Sequence, residues 1–205
     1  SDSAFVPVRC AGLPREVESL EQRTQVLSIL FGHAEGAVPG AAEERPGLLQ
    51  QAHGGTLFFD EIGLLPVPLQ THLLGVLRDG EVRRIGAKAS ERLDLRVMAA
   101  SSEDLEMQVE VGGLNRELYD YLAAHEVAVP PLRERREDIG PLTQQIVDTL
   151  SGELGLRPAP VGQEVLALLE DYDFPGNVRQ LQSVLEQALR VSDGPVKPAD
   201  LGLER

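Results

Sequence analysis

The chain has 205 residues, of which 42% are hydrophobic and 25% are charged, a length that suits one sizeable domain or one domain with a small appendage. The net charge of -14, from 19 basic and 33 acidic residues, argues against a protein that grips nucleic acid over a broad face, because phosphate binding needs clustered Lys and Arg. DNA contacts are therefore expected only through other domains.

The first part of the chain has the pattern of an α/β domain. A candidate helix covers residues 68–77, with apolar residues at helical spacing and a stop at Gly80. The segment 56–59 has the uninterrupted apolar character of a parallel strand buried on both faces. Candidate strands lie at 5–8, 56–59, 95–100 and 126–129. Strands that alternate with helices predict a parallel sheet with flanking helices.

The pattern changes after Pro130, where only helices are predicted, at 133–154, 163–172 and 177–191. We therefore expect an α/β subdomain over 1–130 and a small all-helical subdomain over 131–205.

The single cysteine, Cys10, cannot form an internal disulfide, and no signal peptide or apolar run long enough to span a bilayer is evident. These features predict a cytoplasmic protein with no membrane partner. Cys10 is interpreted as a small buried hydrophobe, because no cysteine-enzyme signature surrounds it. The four histidines are scattered without the spacing of metal ligands.

Two adjacent carboxylates, Asp60 and Glu61, follow the apolar strand at 56–59. The carboxyl ends of parallel strands are where open α/β sheets bind their ligands. In an ATPase the first acid holds Mg²⁺ through water and the second polarises the attacking water, which assigns Asp60 to the metal and Glu61 to catalysis. The dipeptide alone is more typical of two solvated acids at a strand end, because two adjacent acids are a short motif.

Several motifs in order resemble the AAA+ domain of bacterial enhancer-binding proteins, the activators of sigma-54 RNA polymerase. They are ILFGH at 29–33, GAVPGA at 36–41, GGTLFFDEIG at 54–63, PPLRERREDI at 130–139 and DFPGNVRQL at 173–181. The resemblance implies an AAA+ sheet with a helical lid, ATP and Mg²⁺ as ligands, and assembly into rings. It makes 54–63 the Walker B segment and implies that Asp60, Ser102 and Arg179 contact the nucleotide.

Other positions depart from the family pattern. The glycine-rich phosphate loop with its lysine is absent, because the only lysines are Lys88 and Lys197 and neither follows such a loop. Nucleotide binding is therefore expected only if residues upstream complete the site. Arg9 replaces the asparagine that restrains the catalytic glutamate in the family, and Ser102 replaces the sensor asparagine. Residues 15–25, which lengthen the stretch before ILFGH, are mostly polar.

The two arginine-finger positions of the family fall on Asn115 and Tyr121, and neither carries the charge that a finger supplies. Arg116, one position away, could substitute only if the loop shifts. The loop that engages sigma-54 in the family is also changed, with Val38 and Pro39 in place of phenylalanine and threonine. Its residues here are Gly36, Ala37, Val38, Pro39, Gly40 and Ala41. These changes disfavour a productive grip on sigma-54.

Three hypotheses remain open from the sequence. The first is a sigma-54-type regulator core that is impaired as an ATPase and serves oligomerisation or regulatory contacts. The second is an active ATP-hydrolysing activator whose phosphate loop lies upstream and whose finger is Arg116. The third is a nucleotide-independent interaction scaffold.

Overall fold

The fold was analysed in a computed structural model, which describes residues 4–14, 19–156, 161–192 and 194–203. The chain divides into two compact units, Ser1–Glu126 and Val127–Arg205, and each is described by itself. Within the described residues, no helix is both long enough and apolar enough to cross a membrane.

The first unit is built on a three-stranded parallel sheet. The strands of this unit are β1 Phe5–Arg9, β2 Thr56–Asp60, β3 Glu81–Val82, β4 Glu91–Arg92 and β5 Arg96–Ala100. Strands β1, β2 and β5 form the sheet, and β3 and β4 form a separate hairpin. The order across the sheet is β1-β2-β5, and Phe59 lies in register with Val8 and Ala99. The strands predicted at 5–8, 56–59 and 95–100 are thereby confirmed.

In the described part of the first unit, the helices cover one face of this sheet. Val8, Leu57 and Phe59 are buried in the core of the unit, as alternation along a strand requires. The opposite face stays open, with Phe5 61% exposed and Met98 44% exposed, and Phe5 stacks on Phe58 at a centroid distance of 5.7 Å. The prediction that 56–59 is buried on both faces is therefore wrong, because the described helices of this unit pack against the Phe59 face alone.

The described part of the first unit contains five α-helices: α1 Leu20–Phe31, α2 Leu48–Gln51, α3 Val67–Asp79, α4 Leu105–Glu110 and α5 Arg116–Leu122. The helix predicted at 68–77 is confirmed as α3, which ends at Gly80 in the left-handed conformation. Helix α1 was not predicted, because the stretch 15–25 that contains its start is mostly polar. Residues 15–18 of this stretch lie outside the described residues. The start of α1 is fixed by a capping box, in which the Ser19 hydroxyl and the Gln22 side chain each accept the other's backbone N–H.

The strand predicted at 126–129 is wrong. The segment has no regular secondary structure, and Val127 is 83% exposed. A strand needs hydrogen-bond partners along its length, and apolar character alone does not supply them. The described residues place no strand beside this segment.

The second unit is helical, with α6 Ile139–Leu154, α7 Gln163–Asp171 and α8 Asn177–Val191. The predicted helices 163–172 and 177–191 are confirmed, whereas the helix predicted from residue 133 begins only at Ile139. Two short 3-10 turns, Leu132–Glu134 and Arg136–Asp138, precede it because Arg135 adopts a non-helical backbone. The Asn177 side-chain oxygen accepts the Leu132 N–H at 2.7 Å and joins the start of the unit to α8.

Candidate functional site

Asp60 and Glu61 lie at the carboxyl end of the central strand. Asp60 is the last residue of β2, in register with Arg9 and Ala100, and its side chain is exposed. Glu61 adopts a left-handed backbone, with φ 57° and ψ 59°, which is uncommon for a residue other than glycine. Its carbonyl accepts the Leu64 N–H at 2.9 Å and opens a 3-10 turn. A left-handed backbone at a residue other than glycine is a strained conformation, and such strain is often found at functional sites.

The Glu61 carboxylate contacts the segment that follows β5. Its Oε2 accepts the backbone N–H of Ser102 at 2.9 Å. The predicted sensor residue is thus brought to the predicted catalytic acid through its main chain. Ser101 shapes this turn, because its hydroxyl donates to the Glu103 carbonyl and accepts the Glu103 N–H, both at 3.1 Å.

Cys10 lies directly after β1 and is fully buried. Burial raises the pKa of its thiol to about 12, and the negative charge of Asp60 adds to this shift. A thiol with this pKa stays protonated at neutral pH and is a poor nucleophile. The interpretation of Cys10 as a small buried hydrophobe is confirmed.

The residues present fit one part of a Mg²⁺-nucleotide site. Mg²⁺ is usually bound by one or two carboxylates together with waters and substrate phosphates, and the exposed Asp60 offers such a carboxylate. A phosphate cradle is not formed in the described part of this unit, because its one lysine, Lys88, lies in the turn between β3 and β4. Arg179, the predicted lid arginine, belongs to the second unit and is exposed on α8.

Both finger positions are engaged in local structure. The Asn115 side chain accepts the Leu118 N–H at 3.1 Å and caps the start of α5. The Tyr121 hydroxyl donates to the Leu77 carbonyl at 3.0 Å. Arg116 is exposed, and its guanidinium is 4.0 Å from Asp120 on the same helix, which is a weak surface contact.

Gln70 is a residue of this region to which the sequence analysis assigned no role. It is fully buried on α3, and its amide donates to the carbonyls of Leu65 at 2.7 Å and Gly113 at 2.8 Å. Its oxygen accepts the Asn115 N–H at 2.7 Å. Gln70 therefore ties the turn after Glu61 to the segment with the first finger position. The available signal was a polar residue on the apolar face of a predicted helix.

The loop 36–41 is closed on itself. The Gly36 N–H donates to the Ala41 carbonyl and the Ala41 N–H donates to the Val38 carbonyl, both at 3.0 Å. Val38 is only 8% exposed, while Pro39 and Gly40 form the exposed tip. The side chain at the position of the family's phenylalanine therefore faces the protein in this loop.

The base of the loop is held from two sides. His33 exchanges two backbone hydrogen bonds with Arg45, both at 2.9 Å, and the Ala34 N–H donates to the Ile85 carbonyl. Gly32 has φ 71°, and a Cβ there would lie 2.5 Å from the Arg45 carbonyl oxygen, so only glycine allows this approach. The ILFGH segment thus positions the loop through its glycine and histidine.

Comparison with known families gives two matches. The model described as the Sigma-54 interaction domain matches residues 1–128, and the AAA+ ATPase lid domain matches residues 133–204. Together they span both units of the chain.

The curated relatives include a response regulator and a DNA-binding transcriptional regulator. The chain is 40% identical over 200 residues to the response regulator protein PilR of Pseudomonas aeruginosa, which covers 97% of this chain and 43% of PilR. It is 36% identical over 201 residues to the DNA-binding transcriptional regulator NtrC of Proteus hauseri, which covers 98% of this chain and 41% of NtrC. The chain therefore spans less than half the length of these relatives.

Solved structures of NtrX from Brucella abortus have the same fold. The complex of NtrX with ADP matches with a TM-score of 0.81 at 29% identity, over 98% of this chain and 43% of NtrX. The complex with ATP matches with a TM-score of 0.80 at 29% identity, over 100% of this chain and 45% of NtrX. With its parallel sheet, its helical second unit and both family matches, the chain belongs to the sigma-54 interaction domain family and carries an AAA+ ATPase lid domain over residues 133–204.

Proposed function

We propose that this chain is an AAA+ regulator core whose ATP hydrolysis is impaired and whose role is oligomerisation and regulatory contact. The observation that carries the proposal is the state of the finger positions. Asn115 caps α5 and Tyr121 binds the Leu77 carbonyl, so both side chains serve the subunit's own fold. Neither is cationic, and loss of a finger arginine costs on the order of 10³-fold or more in turnover.

The closed loop 36–41 supports the same proposal. A loop that engages a partner must present its side chains, and here Val38 is buried. The exposed Pro39 offers no hydroxyl and no backbone donor. We therefore expect no productive contact between this loop and sigma-54, and we assign the loop a packing role.

The decisive test is a gain of function in the full-length protein. Steady-state ATP turnover is expected to lie well below the order of 1 per second that is ordinary for an enzyme. Replacing both finger positions, as Asn115→Arg with Tyr121→Arg, should raise turnover at least tenfold, and adding Glu61→Gln should abolish the gain. A wild-type turnover of about 1 per second would refute the proposal.

A second candidate, an active ATPase completed by a segment outside this chain, is favoured by the open face of the sheet. Parallel sheets are normally covered on both faces, yet Phe5, Phe58 and Met98 lie on a face that the described helices leave open. A strand at the free edge of β5 that returned to β1 by a right-handed crossover would place its helix on that face. The ADP and ATP complexes of NtrX support nucleotide as the ligand.

Arg116 distinguishes the two candidates, since its exposed guanidinium is the nearest cation in sequence to the finger positions. In the full-length protein, Arg116→Ala should leave slow turnover unchanged if hydrolysis is impaired. It should lower turnover by on the order of 10³-fold if Arg116 acts as the finger. Arg78→Ala is the matched control, because Arg78 is also exposed and pairs with Glu117 on α5.

Nucleotide binding is tested separately from hydrolysis. The full-length protein is titrated with a fluorescent ATP analogue and Mg²⁺, alongside Asp60→Ala and Arg179→Ala. Saturable binding that both substitutions weaken would support a regulator that binds ATP and hydrolyses it slowly. Absence of binding would support the nucleotide-independent scaffold.

A further inference from the structure

The order of the strands defines the two sides on which the Glu61 carboxylate can lie. Glu61 follows the central strand β2, with β1 and Arg9 on one side and β5 and Ser102 on the other. Its carboxylate lies on the β5 side, where Oε2 accepts the Ser102 N–H at 2.9 Å. A hydrogen bond from an amide to a carboxylate is charge-assisted and stronger than one between neutral groups.

The main-chain conformation around Glu61 is fixed by a local hydrogen bond. The left-handed conformation at Glu61 is held by the bond from the Leu64 N–H to the Glu61 carbonyl. The turn also approaches the β5 side closely at Gly63, where a Cβ would lie 3.1 Å from Leu105 Cδ2. A side chain at this position would therefore require the Leu105 side chain to shift.

The donor is fixed as firmly as the acceptor. The Ser101 hydroxyl closes a turn with Glu103, and the Glu103 carboxylate accepts the Gln108 side-chain amide at 2.8 Å. Gln108 in turn accepts the Gly113 N–H through its backbone carbonyl at 2.8 Å. The Ser102 N–H thus belongs to a hydrogen-bonded turn that continues toward the segment with the first finger position, and the bonds of this turn do not involve Glu61.

We propose that the backbone N–H of Ser102 is the resting anchor of Glu61 and holds this carboxylate on the β5 side of the sheet. Ser102 is then a positioning residue that acts through its main chain. This hydrogen bond acts on the same site as the proposed function. Its effect on ATP hydrolysis rests on that proposed function. The Arg9 position, on the β1 side, takes no part in holding the glutamate.

The test is amide hydrogen exchange measured by NMR on this 205-residue chain, without nucleotide. A charge-assisted hydrogen bond should slow exchange of the Ser102 amide by about tenfold or more against the rate of an unprotected amide. Glu61→Ala should remove this protection. Glu61→Gln, which keeps an acceptor oxygen, should retain part of it, and Ser102→Ala, which keeps the N–H, should retain it in full.

Asp60→Ala is the matched control, because it removes the neighbouring carboxylate and should leave the Ser102 amide unchanged within about twofold. Protection of the Phe59 amide in β2 reports that each variant is folded. An unprotected Ser102 amide in the wild type, or equal protection in Glu61→Ala, would overturn the anchor. ATP turnover has no part in this test, so fast hydrolysis would refute the proposed function and leave the anchor standing.

Discussion

Replacing Gln70 with leucine should destabilise the first unit more than any ordinary surface change. Gln70→Leu keeps the approximate size of the side chain but removes three hydrogen bonds of 2.7 to 2.8 Å, to Leu65, Gly113 and Asn115. Each buried backbone group left unpaired costs about 1–3 kcal/mol. Gly113 and Asn115 are half-buried and regain some hydration, so we expect a total loss of about 3–5 kcal/mol.

The loss is measured by urea unfolding followed by far-UV circular dichroism, since the chain has no tryptophan. Gln51→Leu, at an exposed position of α2, is the matched control and should change stability by less than about 0.5 kcal/mol. Hydrogen exchange at the Asn115 amide should accelerate only in Gln70→Leu. If the two variants unfold within about 1 kcal/mol of each other, the hydrogen bonds of Gln70 are not what holds this region together.

Three further substitutions test single contacts. Asn115→Ala removes the cap of α5 and should cost about 1 kcal/mol of unfolding free energy, with faster exchange at the Leu118 amide; an unchanged amide would contradict the cap. Thr143 is fully buried with an unpaired hydroxyl, so Thr143→Val should raise the thermal midpoint, while Thr149→Val, whose hydroxyl donates to Gln145, should not. Because the pKa of Cys10 is raised from 9.0 to about 12 in the fold, stability should be unaffected below pH 9 and fall as pH rises toward 12. Cys10→Ala should remove that fall in alkaline urea titrations, and an identical pH profile would argue against the shift.

The local parts of the fold could be predicted because their signals lie within a few residues. Apolar periodicity defined α3 and α8, and the run before Asp60 defined β2. The motifs were also sufficient to identify the family. Helix α1 was not predicted, because its start depends on the Ser19 capping box and its composition is polar on several faces.

The two adjacent acids were recognisable for the same local reason, since Asp60 ends strand β2 and Glu61 directly follows it. Their partners were not. The contact between Glu61 and Ser102 joins residues 41 positions apart, and it exists because β2 and β5 run parallel in register. A sequence indicates that a serine follows a strand, but only the neighbouring strand decides that its N–H meets a carboxylate.

The sequence by itself determined the fold class, the family and the positions of the acids, because these depend on patterns carried by contiguous residues. Tertiary structure alone decided that 126–129 is not a strand, that the described helices leave one sheet face open and that Val38 is buried. It alone gave Gln70 its three partners. Each of these features depends on contacts between segments that are distant in sequence. Only these contacts determine which polar groups find hydrogen-bond partners and which side chains are buried.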